Sequence, residues 1–230
     1  TGAVSDISSA YASSGISGLG NKAITASGSL TVAQANTLGG LTTGVVTSTI
    51  SNGDMTTLAR LSETGHAHTI TVTDTSVAAS ALNTLDGKTT VAIGASSITT
   101  ITGKLSDVNT AYASSGISGL GNEAVTLTDT SLAADALNTT NTNTTGTVKV
   151  QAPTVTGTAG NLLTAYGAQG SGIDGLGNEA VTVSSGSASV SQVNTITAAT
   201  TGTVPATVSD GAMTTLAGIS ESGNALTITV

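Results

Sequence analysis

The stretch TVTDTSVAASALNT, residues 71–84, recurs as TLTDTSLAADALNT at residues 126–139. Its first half alternates β-branched and polar residues, which is typical of a short strand with one buried face. From its second half onward, the apolar side chains lie at helical spacing and form one stripe: Val77, Ala78, Ala81, Leu82 and Leu85. Thr75 or Ser76 is placed to cap this helix, and Gly87 is placed to end it. The stretch therefore predicts a strand, a turn and a short helix.

The same order of strand and helix is repeated along the chain. MTTLARLSETGHAHTITV (55–72) returns as MTTLAGISESGNALTITV (213–230), and AYASSGISGLGN (10–21) returns unchanged at 111–122. We expect the glycines of the second phrase to make sharp bends between a helix and the next strand. Alternation of β-branched residues predicts seven short strands: KAITAS (22–27), GVVTSTI (44–50), HTITVTD (68–74), EAVTLTD (123–129), GTVKVQA (146–152), EAVTVSS (179–185) and ALTITV (225–230).

Repeats of this length, roughly 20–35 residues, are too short to bury their own apolar faces, so neighbouring repeats must stack. Stacking would place the strands in a parallel ladder about 4.8 Å apart, with the short helices in a second row. Crossovers from strand to helix to strand are right-handed in nearly all proteins. The sequence therefore predicts one right-handed α/β repeat solenoid over residues 1–230, with about nine strand–helix units, as a segment of a longer array.

Polar residues recur at fixed places in the repeats. Ser-Asp pairs open helical segments and bring an acceptor near helix N–H groups: Ser5-Asp6, Ser106-Asp107 and Ser209-Asp210. An Asn that follows an apolar residue and precedes Thr recurs five times: Asn36, Asn83, Asn109, Asn138 and Asn194. We expect each Asn to be buried and to satisfy backbone groups of a turn, which is a structural role. Three tyrosines share one repeat position and are expected to fill a corner: Tyr11, Tyr112 and Tyr166.

Composition narrows the function. The chain has no Phe, Trp or Cys, which suits a thin aliphatic core and excludes thiol chemistry and disulfides. The net charge is −8 with only five Lys and Arg, too few for the basic patch that nucleic acids require. No apolar run approaches the roughly 20 residues of a membrane span. Neither a serine nucleophile with a positioned base nor a pair of opposed carboxylates in an aromatic cleft is indicated. We therefore expect no enzyme activity, no catalytic residues and no organic cofactor.

Candidate metal ligands are few. His66 and His68 alternate at the start of a strand, but the second copy has Asn224 and Leu226 there, and two ligands do not make a metal site. Calcium is the one ion for which the sequence leaves a binding site as an alternative. Its candidates are Asp174 in GSGIDGLGN (170–178), which partly matches the Gly-rich calcium nonapeptide, and the recurring Asp74 and Asp129, which we interpret first as cap or turn residues.

Three phrases carry a family resemblance: SDVNTAYASSGISGLGNEAVTL (106–127), DTSVAASALNTLDGKTT (74–90) and SSITTITG (96–103). They resemble the tandem repeats of very long, Thr/Ser/Ala-rich proteins of marine picocyanobacteria and of the viruses that infect them. The resemblance extends over essentially the whole chain. It implies a surface, secreted or virion-associated repeat protein, and it implies no catalytic residues.

Two non-enzymatic functions follow. The first is a structural repeat that forms a rod, fibre or surface assembly at the cell surface or outside the cell, through end-to-end self-association or more of the same array. The second is an adhesion module that binds a glycan or ice through Thr-rich strand faces such as TITVTDT and LTITV. Ice binding would need T-x-T in nearly every repeat, and KAITAS and GTVKVQA, with Lys149, break that pattern.

Overall fold

The computed structural model describes residues 1–184 and 186–230, in which short strands alternate with short helices. Every predicted strand overlaps an observed one, but β1 continues past the predicted end at residue 27, and the strand predicted over 68–74 shares only residues 68 and 69 with β3. Ser185, at the end of EAVTVSS, lies outside the described residues. The elements are α1 Val4–Ala12, β1 Ile24–Leu30, α2 Val32–Gly39, β2 Val46–Ile50, α3 Met55–Leu58, β3 Ala67–Thr69, β4 Ser76–Ala78, α4 Ala79–Asp86, β5 Ile93–Gly94, β6 Thr100–Gly103, α5 Leu105–Ala113, β7 Ile117–Ser118, β8 Ala124–Leu127, β9 Leu132–Ala133, α6 Ala134–Asn143, β10 Val148–Lys149, β11 Thr154–Gly157, α7 Ala159–Gly167, β12 Ile173–Asp174, β13 Ala180–Val183, α8 Val190–Ala199, β14 Ala206–Val208, α9 Met213–Leu216 and β15 Leu226–Ile228.

The chain divides into two compact units. Residues 1–100 and 110–120 form the first unit, and residues 101–109 and 121–230 form the second. In the first unit, β1, β2 and β3 form a sheet in that order, and β5 pairs with β7. The second unit contains the strand orders β12-β10-β8-β6, β13-β11-β9 and β14-β15.

Where the register is described, paired strands run parallel and come from successive repeats. In the first unit Leu30 lies opposite Ile50, and Thr49 lies opposite Thr69. In the second unit Val148 lies between Val125 and Ile173. The prediction of an α/β fold with parallel strands and short helices is confirmed, and the sheets are small and open.

The core of each unit is aliphatic and thin. Strands bury alternate residues, as in β2, where Val46, Ser48 and Ile50 are buried and the two threonines between them are exposed. Helices bury one stripe, as in α4, where Ala79, Leu82 and Leu85 are buried. The largest fully buried side chains are all Leu or Ile, which explains how the fold forms without Phe or Trp.

The helix predicted from residues 75–87 is shorter than the apolar stripe suggested. Val77 and Ala78 belong to β4, and α4 begins at Ala79 with Ala78 as an N-cap that makes no side-chain hydrogen bond. The expectation of a Thr75 or Ser76 cap was therefore wrong, because strand pairing extends as far as Ala78. The expected end of the helix at Gly87 is confirmed.

One block of the chain is duplicated both in its amino-acid sequence and in its hydrogen bonds. Residues 31–72 and 189–230 both begin with a capping box, which Thr31 and Gln34 form in α2 and Ser189 and Gln192 form in α8. Equivalent residues in the two copies lie 158 positions apart.

The Thr-Thr-Gly motif joins successive repeats by backbone contact. The buried Thr144 hydroxyl donates to the Glu123 carbonyl oxygen (2.7 Å) and accepts from the Gly146 N–H (3.0 Å). A Cβ atom at Gly146 would overlap the same Glu123 carbonyl, so only glycine fits. Thr200 and Gly202 repeat the arrangement on the Glu179 carbonyl.

Glycine also makes the expected bends before strands. Gly119, in the AYASSGISGLGN phrase, has φ of 89°, and Gly175, in the equivalent loop of the second unit, has φ of 93°. A Cβ atom at Gly175 would in addition overlap the Val150 carbonyl oxygen. The predicted bends are present, but both glycines follow a short strand, β7 or β12, and so lie between two strands and not between a helix and the next strand.

Candidate functional site

The most regular polar feature is a set of caps in which the turn after one strand completes the helix of the preceding repeat. Each side chain accepts a hydrogen bond from the first N–H of that helix, a donor that has no partner within the helix. The pairs are Asn52 Oδ1 with Val32 N (2.9 Å), Asp74 Oδ2 with Met55 N (2.6 Å), Asp129 Oδ2 with Leu105 N (2.8 Å) and Asp210 Oδ2 with Val190 N (2.7 Å). We call these four contacts the cross-repeat caps.

The cross-repeat caps show what the recurring aspartates do. Asp74 and Asp129 each accept a hydrogen bond from a helix N–H, in agreement with their first interpretation as cap or turn residues, although the helix that each caps belongs to the preceding repeat. Asp210 was expected to open a helix near its own position, and that expectation was wrong. Its carboxylate instead caps α8, 20 residues earlier in the chain, because the turn that carries it lies beside the start of that helix.

The five recurring asparagines lie on helices and are half-buried, so the expectation of full burial was wrong. In the first unit, Asn36 Nδ2 donates to the Arg60 carbonyl (2.8 Å), and its Oδ1 accepts from Ser62 N (3.0 Å). In the second unit, Asn194 makes the equivalent bonds to Gly218 O (2.8 Å) and Ser220 N (3.1 Å).

Two further asparagines contact the helix of the next repeat. Asn109 Nδ2 donates to Ala136 O (3.0 Å), and Asn138 Nδ2 donates to Asn161 O (2.9 Å). Asn83 lies at the same place in α4. The side-chain amide therefore joins successive helices, as the cross-repeat caps join successive turns and helices.

Asp174 lies at the end of β12 with an exposed side chain. It lies opposite Lys149 in the parallel pair with β10, and its carbonyl accepts from Val150 N (2.8 Å). Gln169, which replaces the first glycine of the calcium nonapeptide, accepts from Leu176 N (3.0 Å). Within residues 1–184 and 186–230, no group of three or more His, Asp or Glu is arranged to hold a metal ion.

His66 and His68 lie inside the first unit, and their rings meet edge to face at 5.5 Å. His66 Nδ1 accepts from Val46 N (3.2 Å), as Asn224 Oδ1 does from Val204 N in the duplicated block. His66 therefore fills a structural acceptor position of the repeat.

His68 is fully buried, and its Nδ1 lies 2.8 Å from Ser48 Oγ. Its Nε2 is buried without a hydrogen-bond partner among the described residues. Burial lowers the pKa of His68 from 6.5 to about 4, and the neighbouring His66 adds to the effect. The duplicated block has Ala206 opposite Leu226 at this place, so an apolar pair replaces the Ser-His pair.

Sequence analysis missed two buried acids. Glu123 and Glu179 are completely buried, and each carboxylate accepts from the N–H of the glycine two residues before it, Gly121 or Gly177. The two glutamates begin the predicted strands EAVTLTD and EAVTVSS, whose pattern of β-branched residues does not indicate that the first residue is buried.

Tyr166, at the recurring tyrosine position, forms a hydrogen bond with one of these buried carboxylates. Its hydroxyl donates to Glu179 Oε2 (2.9 Å), and burial together with this carboxylate raises the pKa of Tyr166. In the first copy of the phrase, where Lys22 replaces the glutamate, the Tyr11 hydroxyl donates to the Leu19 carbonyl (3.0 Å) instead. The two later copies of the phrase contain both the Tyr and the Glu, and this co-occurrence in the sequence could have predicted the pair.

The chain matches none of the family models, curated proteins or solved structures compared with it. In the described part of the chain, every helix is too short and too polar to cross a membrane.

Removing one cross-repeat cap should destabilise the chain measurably. Asp129→Ala leaves the Leu105 N–H without its acceptor, and we expect the free energy of unfolding to fall by about 1 kcal/mol. Asp129→Asn should lose less, because Asn52 performs the same role. Asp174→Ala, at an exposed carboxylate, is the control and should stay within about 0.5 kcal/mol of wild type. Urea denaturation measures all three, and an unchanged Asp129→Ala variant would contradict the assigned role.

The buried Ser48-His68 pair should make stability depend on pH. Because the pKa of His68 is lower in the folded chain, the unfolded chain takes up its proton first as the pH falls below 6.5. The resulting loss of unfolding free energy is complete near pH 4 and amounts to about 3 kcal/mol. The double variant Ser48→Ala/His68→Leu copies Ala206 and Leu226 and should remove this loss. Denaturant titrations from pH 7.5 to 4 compare the two chains, and parallel pH profiles would refute the assignment.

Proposed function

We propose that the chain is a non-enzymatic structural repeat whose units are right-handed solenoids, and that it builds an extended rod, fibre or surface assembly. The observation that carries the proposal is the regular connection between neighbouring repeats. Parallel strand pairing, the cross-repeat caps and the asparagine bonds each join one repeat to the next. Arg60, Asp129 and the other participants thereby act in linking repeats, which is what an array requires.

An array held by nearest-neighbour contacts has no fixed length. Each added repeat brings one strand, one helix and its own polar links, and leaves a new strand edge for the next repeat. Such a molecule suits extension and assembly at a cell or virion surface. The extracellular location proposed here rests on the resemblance of phrases such as residues 106–127 to surface and virion-associated repeat proteins.

A lengthened chain tests this architecture. Leu30 and Ile70 are buried at matching positions two strands apart, so residues 31–70 form a whole two-repeat period. Inserting a second copy of residues 31–70 after Ile70 should give a folded chain with at least wild-type unfolding free energy. Its maximum dimension by small-angle X-ray scattering should grow by about 10 Å, two strand spacings, at constant cross-section.

The matched control inserts a segment that is not a whole number of repeats. Inserting residues 31–60 at the same place adds a similar composition in the wrong register, and we expect this chain to lose cooperative unfolding. If the 31–70 insertion also abolishes folding, the units are closed domains and the proposed solenoid is refuted.

A second candidate function is adhesion to a glycan through the exposed strand face of the first unit. Thr25 lies beside Thr47, and Ser29, Thr49 and Thr69 form a second row, all with exposed side chains. These hydroxyl rows carry no charge. The rows are interrupted by Ala67 here, and by Lys149 and Asp174 in the second unit, which favours a glycan over ice as the ligand.

Binding to insoluble polysaccharides tests this candidate. Thr47→Lys/Thr49→Lys should reduce sedimentation with crystalline cellulose or chitin at least tenfold if the face binds sugars. Thr37→Lys, exposed on helix α2, is the control and should bind as wild type does. Equal binding by both variants, or no binding by wild type, would rule out this face as a glycan site. Inhibition of ice recrystallisation by wild type but not the double variant would reassign the face to ice.

A further inference from the structure

One of the cross-repeat caps differs from the others in its chemistry. Asn52 caps α2 with a neutral amide, whereas the other three caps are carboxylates: Asp74, Asp129 and Asp210. Asn52 is followed by Gly53, and this is the one Asn-Gly pair in the sequence. In the duplicated block the same turn reads Ser-Asp-Gly (209–211) in place of Ser-Asn-Gly (51–53), so the two turns differ only in an amide against a carboxylate.

An Asn followed by Gly is chemically labile. The backbone nitrogen of the second residue can attack the side-chain amide carbon of the first, and glycine obstructs this attack least because it has no Cβ. Among residues 1–184 and 186–230, no acceptor bonds to the Gly53 N–H, so this nitrogen is not held elsewhere. The turn also requires glycine at this position, because a Cβ atom at Gly53 would lie 2.5 Å from Thr73 Cγ2.

The contact that makes Asn52 a cap also polarises its amide. The Val32 N–H, at the start of α2, donates to Asn52 Oδ1 (2.9 Å). When the Gly53 nitrogen attacks Cγ of Asn52, negative charge develops on this same oxygen, and a backbone N–H at a helix N-terminus stabilises that charge. Arg60 lines a cavity of about 310 Å³ together with Asn52, which adds a positively charged residue and gives water access to the half-buried amide.

We infer that Asn52 is a self-modifying site, at which the folded chain converts its one neutral cross-repeat cap into an aspartate. The Gly53 nitrogen forms a bond to Cγ and gives up its proton, the bond from Cγ to Nδ2 breaks, and Nδ2 leaves with that proton as ammonia. Water then adds to Cγ of the cyclic imide and the new bond from Cγ to nitrogen breaks. This step restores the Gly53 N–H and leaves a carboxylate at position 52, with water as the only other reactant.

The cap also selects between two products. Water can open the cyclic imide at Cγ, which gives aspartate, or at the backbone carbonyl carbon of residue 52, which gives isoaspartate and reroutes the main chain through the side chain. The Val32 N–H polarises the carbonyl at Cγ and not the backbone carbonyl. We therefore expect aspartate to predominate in the folded chain, and isoaspartate in the unfolded chain, where this hydrogen bond is absent.

The product completes the set of charged caps. Asp210 Oδ2, at the equivalent place in the duplicated block, accepts from Val190 N at 2.7 Å, compared with 2.9 Å for Asn52 Oδ1 and Val32 N. A carboxylate accepts a stronger hydrogen bond than an amide does, and its charge suits a helix N-terminus. The modified chain is therefore more stable than the newly made one. This modification lies within the first unit and needs no assembly of repeats from other chains.

Peptide mapping of the folded chain, incubated over days at neutral pH, tests the inference. Trypsin cleaves after Lys22 and Arg60 and releases a peptide that contains Asn52 together with Asn36, which precedes Thr and serves as the internal control. In folded wild type we expect conversion of Asn52 to aspartate with release of an equal amount of ammonia, and no conversion of Asn36. The same chain in concentrated guanidinium chloride should give mainly isoaspartate, which isoaspartyl methyltransferase detects.

Val32→Pro separates the effect of the cap from the general lability of an Asn-Gly pair. Proline suits the first position of a helix, and Thr31 before it already has the extended backbone that proline requires (ψ of 158°), so the variant keeps α2 and loses only the N–H donor. We expect conversion in the folded variant to slow by about tenfold or more and to give a larger share of isoaspartate. Val32→Ala loses apolar contact but keeps the N–H, so this matched control should convert as wild type does.

Stability provides an independent measurement. Asn52→Asp should raise the midpoint of urea denaturation, and aged wild type should approach the same midpoint. Three results would overturn the inference: an Asn52 that stays intact in folded wild type while the unfolded chain reacts, equal rates and product ratios in the two Val32 variants, or an aged chain with a lower midpoint. Circular dichroism establishes that both variants are folded, and the comparison of folded with unfolded wild type decides the question even if the proline variant does not fold.

Discussion

The hydrogen bond from Leu105 N–H to the Asp129 carboxylate represents the interaction on which each unit depends. A short helix leaves its first N–H groups unpaired, and a short strand leaves one edge unpaired. In this chain the next repeat supplies the partner of the strand edge through parallel pairing, and for α2, α3, α5 and α8 it also supplies the partner of the first helix N–H through an Asn or Asp. A repeat is therefore complete only when its neighbour is present, which explains why such small elements are stable together.

The thin aliphatic core follows from the same arrangement. Each strand contributes alternate Val, Ile or Leu residues and each helix one stripe, so a core without Phe or Trp can still be filled. The core can contain a polar residue where the residue that faces it on the neighbouring strand is also polar. Ser48 and His68 face each other in one block, and Ala206 and Leu226 do so in the other. In this one exchange both residues of the pair change together, so the two facing side chains match each other in each block.

The proposed functions use different surfaces of the same architecture. The outward threonines of β2 and β3 form the candidate glycan face, while the strand pairs, the cross-repeat caps and the asparagine bonds concern assembly. The buried Glu179 carboxylate belongs to neither surface and accepts hydrogen bonds from the Gly177 N–H and the Tyr166 hydroxyl.

The sequence by itself determined the alternation of strand and helix and the parallel α/β class, because these depend on local periodicity and on repetition. It could not locate the start of α4, since strand pairing with another segment claims Val77 and Ala78. It could not assign Asp210 to α8, because the two lie 20 residues apart and meet only when repeats stack. The burial of Glu123, Glu179 and His68 was likewise decided by the tertiary structure, since a strand pattern does not reveal which side faces the core.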